Sequence, residues 1–89
     1  MPTIQIPPPY RGPTGGATEV EVEGATLRDC LEAVEAKHPG FGQLVIDGQG
    51  EVRKFATWFR NGDKLMGEVL DTALEPGDSI EIISSVAGG

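Results

Sequence analysis

Thr26-Leu27-Arg28-Asp29-Cys30-Leu31-Glu32-Ala33-Val34-Glu35-Ala36-Lys37-His38-Pro39-Gly40 decides the architecture, because it is the strongest helical pattern in a chain otherwise written for strands. Thr26 supplies a side-chain oxygen for the first exposed N–H groups, and Asp29 three residues later completes a variant of the capping box. Leu27, Cys30, Leu31 and Val34 fall at i, i+3, i+4 and i+7, so they form one apolar stripe. Lys37 and His38 occupy the last turn, where a cation or a donor suits the helix dipole. Pro39-Gly40 ends the helix.

Before the helix, residues 3–6 alternate with β-branched side chains and read as a short strand that stops at Pro7-Pro8-Pro9. Residues 7–16 hold four prolines and three glycines and read as a loop. Residues 18–23 alternate strictly, with Val20 and Val22 on one face, and predict a half-buried strand antiparallel to the first. After the helix, residues 41–50 form a connector, with one turn carrying Leu44, Val45 and Ile46. Residues 52–60 read as a strand, Asn61-Gly62 as a hairpin turn and residues 64–66 as a weak return strand. Residues 70–74 predict a single helical turn, Pro76-Gly77-Asp78 a turn, and residues 79–84 a last strand. One helix must cover the inner face of the sheet these strands make. The expected class is therefore α+β: a ubiquitin-like β-grasp, a mixed sheet packed on one main helix, with the last strand central beside the first. The expected division is a β-grasp domain over residues 1–85 and a flexible tail over residues 86–89.

The composition narrows the function. The chain has 89 residues, enough for one domain that buries roughly 60–65% of its extended-chain surface. One Cys allows no internal disulfide and no cysteine zinc cluster, and one His allows no multi-histidine metal centre. Seven basic against fourteen acidic residues give a formal charge of -7, which argues against nucleic acid and against anionic membranes as partners. The first residues lack the charged and apolar regions of a signal peptide, and no apolar run is long enough for a membrane span. A cytoplasmic protein is expected. The acidic balance suits a partner with a basic docking face, an association that salt would weaken.

The segment with chemical content follows the last strand: Val86-Ala87-Gly88-Gly89. Residues 84–89 extended would reach roughly 20 Å from the domain. Glycines lack Cβ, so they enter a narrow tunnel and leave a terminal carboxylate unhindered. Those are the properties needed by a carboxylate that is activated as an acyl-adenylate and then attacked by sulfur. The reactive group would be the main-chain carboxylate of Gly89, with Val86, Ala87 and Gly88 threading into the partner.

These residues carry a resemblance. Leu74-Glu75-Pro76-Gly77-Asp78-Ser79-Ile80-Glu81-Ile82-Ile83 followed by Val86-Ala87-Gly88-Gly89 resembles the ubiquitin-like sulfur carriers of the MoaD/ThiS type, in particular their CysO-like branch. That group shows a Leu-x-x-Gly-Asp-x-hydrophobic-x-hydrophobic pattern before a Val-Ala-Gly-Gly or Val-Ser-Gly-Gly end. Asn61-Gly62-Asp63 and Leu70-Asp71-Thr72 are similar too, and the Pro/Gly loop with Thr14-Gly15-Gly16 is CysO-like. Ser84-Ser85 departs from the pattern, since relatives often carry a proline there.

The resemblance implies a protein cosubstrate rather than an enzyme, with no bound cofactor. A ubiquitin-activating-type adenylating enzyme would use ATP on Gly89. A sulfurtransferase or sulfide source would convert the adenylate to a thiocarboxylate. A cysteine-synthase-like or natural-product enzyme would then receive the sulfur, and in the CysO-like branch a zinc metallopeptidase would release the product. Two other readings use the same tail: the small subunit of molybdopterin synthase, and a ubiquitin-like modifier joined to lysines. A β-grasp binding module without tail chemistry is a third.

The remaining candidates have plainer readings. Cys30 lies on the apolar stripe and is expected in the core, and His38 is expected to serve the helix end. Pro7-Pro8-Pro9-Tyr10 matches the Pro-Pro-x-Tyr pattern read by WW domains but is expected to be a stiff loop. Gly15-Gly16 lacks a following Lys-Ser/Thr and is no phosphate loop. Glu19, Glu21 and Glu23 form a solvated strand face. Trp58 shares strand parity with Arg60, so Trp58 is expected on the open sheet face, as a docking anchor or as an isolated exposed aromatic, with Phe59 inside.

Overall fold

The computed structural model describes residues 1–84. Five strands form one mixed sheet: β1 (Thr3–Gln5), β2 (Glu19–Glu21), β3 (Ala56–Arg60), β4 (Asp63–Lys64) and β5 (Ser79–Ser84), in the order β2-β1-β5-β3-β4. β5 is central, parallel to β1 and antiparallel to β3, while β2 and β4 close the two edges as antiparallel partners. Helix α1 (Leu27–Lys37) covers the inner face, followed by the short helix α2 (Gly42–Val45). This is the expected α+β arrangement, with the last strand beside the first.

Helix α1 starts where its cap predicts. Thr26 Oγ1 accepts the Asp29 N–H at 3.2 Å, and Leu27, Cys30, Leu31 and Val34 are its buried residues. They pack on Ile4, Ile6, Val20, Val22, Ile80 and Ile82 from the sheet. Glu35 ends the next connection neatly: its carboxylate accepts the N–H groups of Gly40 and Gly42 at 3.0 and 2.7 Å, fixing the turn into α2.

Gly24 shows how tightly α1 sits on the sheet's crossover. A Cβ built there would lie 2.7 Å from Cys30 Sγ and 2.8 Å from the Cys30 amide nitrogen. The second of these is helix backbone and cannot step aside. Gly24→Ala is therefore expected to destabilise the fold by about 1–3 kcal/mol, read as a shift in the urea midpoint.

Of the next three expectations, the second holds and the other two need correction. Pairing on β3 begins only at Ala56; Val52 makes an isolated bridge to Ile46, and a turn in which the Ala56 N–H reaches the Arg53 carbonyl breaks the run. The Pro/Gly loop contains a 3-10 turn, Pro8–Tyr10, whose Tyr10 is buried in the core, so this tyrosine is not displayed to a peptide-binding partner. The third is Trp58. It is 1% exposed, on the inner face opposite Ile82, while Phe59 is only half-buried. Arg60 misled the parity argument. It stands at the last position of its strand, where its guanidinium leaves the core layer and pairs with Asp78 at 2.8 Å. A charged residue at a strand end does not mark the open face.

Candidate functional site

The element that matters is the exit of β5. Ser84 ends the strand and pairs with Ala56. Gly89, Gly88, Ala87 and Val86, the residues expected to carry sulfur and thread into a partner, lie outside the described residues. What the structure describes is the platform they leave from.

That platform is held from below by one carboxylate. Asp78 is 6% exposed at the turn before β5. Its Oδ2 accepts the Glu75 N–H at 2.8 Å and Arg60 Nε at 2.8 Å, and its Oδ1 accepts Asn61 Nδ2 at 2.9 Å. Asn61 Oδ1 in turn accepts the Ser79 N–H at 2.8 Å. The turn is possible because Gly77 sits at φ +90, a left-handed conformation that costs glycine little. Asn61 and Gly62, at φ 50 and 90, make the β3–β4 hairpin turn. One side-chain cluster thus ties that hairpin to the start of β5 and fixes the register in which the strand runs towards Ser84.

The Glu75 N–H first, then Asn61 and Arg60, hold the Asp78 carboxyl below its ordinary value of 3.8. A carboxylate depressed in the folded state stabilises the fold above its ordinary value, and that stabilisation is lost as pH falls through the lower one. Asp78→Asn is expected to lower the neutral-pH melting temperature by several degrees. The gap to the parent should narrow as pH drops below 3.8; thermal melts across that range check it.

One depression reaches Ser84, and a second lies across β3 from it. A groove of about 480 Å³ is lined by Pro9, Tyr10, Leu44, Arg53, Phe55 and Ser84 itself. The Tyr10 hydroxyl is buried there without a partner among the described residues. A second depression of about 340 Å³ lies along β3 and β4 and includes Arg53, Lys54, Trp58, Lys64, Leu65 and Val69. Arg53 borders both.

Other chemistry is sparse. Cys30 is fully buried; burial first, then the Asp29 charge, pushes its thiol above the ordinary value of 9.0, so it stays a neutral core group. His38 is the C-cap of α1, with its N–H on the Val34 carbonyl. Glu19, Glu21 and Glu23 are exposed along the β2 edge. Trp58, expected as a docking anchor, is a core residue. Among the described residues no group of three His, Cys, Asp or Glu could hold a metal ion, and no helix is long and apolar enough to cross a membrane. The clamp on Asp78 escaped sequence reading; a lone Asp after Pro-Gly shows a turn but not its buried partners.

The ThiS family profile matches residues 4–89, spanning β1 to the Gly-Gly end. The chain belongs to the ThiS family. Among curated relatives of this ThiS-family chain is the sulfur carrier protein CysO of Mycobacterium tuberculosis, 32% identical over 90 residues, covering 98% of this chain and 97% of the relative. Small archaeal modifier protein 3 of Haloferax volcanii is 35% identical over 69 residues, covering 75% of this chain and 73% of the relative. Among solved structures, a chain of the Amycolatopsis orientalis BexX/CysO complex superposes with a TM-score of 0.90 at 29% identity, over the whole of both chains. The agreement makes the sheet and helix described above the β-grasp of CysO-like proteins.

Proposed function

We propose that this chain is a sulfur carrier, a protein cosubstrate whose terminal Gly89 carboxylate is adenylated and converted to a thiocarboxylate. The observation that carries the reading is a fixed central strand, ending at Ser84, followed in sequence by Val86-Ala87-Gly88-Gly89 in a chain that matches its family through that last glycine. The likeness to CysO supports sulfur as the cargo. The complex of CysO with BexX supports a protein partner.

In this reading the carboxylate oxygen of Gly89 attacks the α-phosphorus of ATP on a separate adenylating enzyme, and pyrophosphate leaves. A sulfide equivalent then displaces AMP and leaves C(=O)S⁻ on the last residue. The domain supplies a docking body and a fixed root for the tail; its side chains do none of the bond-making. The sulfur passes to a biosynthetic acceptor, cysteine or another sulfur-containing metabolite, on a further enzyme in the cytoplasm.

The test is intact mass after incubation with an adenylating enzyme, ATP and sulfide. The expected product is heavier by the exchange of one oxygen for sulfur, at the C-terminal residue. An unchanged mass would sink the carrier reading. The likeness to an archaeal modifier favours one second reading, attachment of Gly89 to lysines. Isopeptide adducts recovered from cells, with no thiocarboxylate, would favour it instead.

A further inference from the structure

The distribution of positive charge on the described surface is uneven in a way the total hides. Of the seven Lys and Arg residues, five are engaged within the domain. Arg28 and Arg60 pair with Asp71 and Asp78. Arg11 donates to the Ile6 carbonyl, Lys37 to that of Glu21, and Arg53 to that of Gln43 through Nε and Nη2. Lys54 and Lys64 are exposed, and their side chains make no hydrogen bond or ion pair among the described residues. Both line the same depression of about 340 Å³, with Arg53 at its other border.

The floor of that depression adds to the field. Trp58 lines it, and the indole N–H is buried with no acceptor among the described residues. A donor without an acceptor leaves its partial positive charge uncompensated. Leu65 and Val69 add apolar surface to its walls.

The place matters as much as the charge. Lys64 lies opposite Phe59, and β3 lies directly against β5, with Trp58 opposite Ile82 and Ala56 opposite Ser84. The basic depression therefore lies across β3 from β5, and Ala56, which lines it, is the residue opposite Ser84. A protein that takes the tail into its own active site must cover this ground. The opposite sheet edge, β2, carries the exposed Glu19 and Glu21 and lies beyond β1, on the far side of β5.

We propose that the depression bordered by Arg53, Lys54 and Lys64 is the docking site for an acidic segment of the adenylating partner. The inference rests on the carrier reading above and adds to it where the partner binds and with what chemistry. The net charge of -7 by itself points to a basic partner face; at this depression the local charges call for Asp and Glu side chains instead. Carboxylates there would neutralise the two cations that lack internal partners, fix the register of docking, and speed encounter.

The experiment uses the full chain. Lys54→Glu/Lys64→Glu is compared with Glu19→Lys/Glu21→Lys in adenylate formation, read as ATP–pyrophosphate exchange by the adenylating enzyme that yields thiocarboxylate with the parent. The first pair is expected to raise KM for the carrier by about tenfold or more with kcat little changed, and the increase should shrink as salt rises. The second pair should change KM less than about threefold. Lys54→Gln/Lys64→Gln, which adds no repulsion, should give an intermediate rise. In parallel, a hexaglutamate peptide is titrated into the labelled chain at low ionic strength. Amide and indole shifts confined to Lys54, Trp58 and Lys64 are expected.

An unchanged KM, an equal rise in both reversal pairs, or shifts scattered away from the depression would overturn the docking site. Shifts at the depression from a chain that no adenylating enzyme uses would keep the acidic-segment site and overturn the carrier reading. The two failures are thus separable.

Discussion

Deletion of Gly89 is expected to abolish thiocarboxylate formation, a loss of at least about a hundredfold, while leaving the melting temperature unchanged. Removing one residue withdraws the carboxylate by about 3.5 Å along an extended chain. A misplacement of about 1 Å already costs on the order of a hundredfold in a positioned reaction, and nothing else in the tail replaces the lost reach. The domain should not feel the change, because among the described residues the pairing of β5 with β1 and β3 is complete without Gly89. Intact mass after reaction reads the first effect and a thermal melt reads the second. Gly89→Ala separates reach from bulk: it restores the length but places a methyl group beside the reacting carbon. Activity in the deletion variant equal to the parent's would show that the chemistry lies elsewhere.

The second large effect belongs to Trp58. Truncation to Ala should cost about 3–5 kcal/mol, because a fully buried large aromatic leaves a cavity that a sheet packed on one helix cannot close. In a domain of this size that is a large share of the total stability, and the melting temperature should fall by roughly 15–30 °C. Trp58→Phe should cost far less, since it keeps a large aromatic ring and removes an indole N–H that lacks an acceptor among the described residues. Chemical denaturation of the three chains gives the comparison. An exposed docking residue would behave in the opposite way, with stability unchanged within about 0.5 kcal/mol and partner binding weakened.

Much of the fold was legible because local signals and burial agree. The Thr26 cap, the Leu27-Cys30-Leu31-Val34 stripe and the Asn61-Gly62 turn each state a requirement that only one backbone geometry satisfies. The last strand was read at its observed bounds, since Pro76-Gly77-Asp78 sets its start and alternation of Ile80 and Ile82 sets its face. The misreadings share a cause. Val52 and Phe55 make residues 52–55 look like the start of a strand, but Arg53 turns to the α2 end, its N–H reaching the Val45 carbonyl and its guanidinium that of Gln43. Trp58 was displaced by a parity rule that Arg60 evades through Asp78. Both depend on partners outside the strand itself, Val45 for Arg53 and Asp78 for Arg60, and the alternation within the strand does not contain them.

The candidate site divides in the same way. The tail is legible in sequence, as four residues of three types in order, and lies beyond the described residues. Its root is legible only in three dimensions: the Asp78 clamp draws on Arg60, Asn61 and Glu75, and the basic depression draws on β3, β4 and the segment before them. Net charge could not have found that depression, because it averages Lys54 and Lys64 with fourteen acidic residues spread along the chain.

The parallel pairing of β1 with β5 has a mechanical consequence. The two strands lie side by side near the two ends of the described chain, so a pull on the tail against a held N-terminus drags them along each other. The hydrogen bonds of that pair are then loaded in shear, all at once, and do not open one by one as in a zipper. Tension applied between Thr3 and the end of β5 therefore meets a stiff anchor in residues 79–81, and the pair ruptures only at forces well above those that peel a hairpin such as β3–β4.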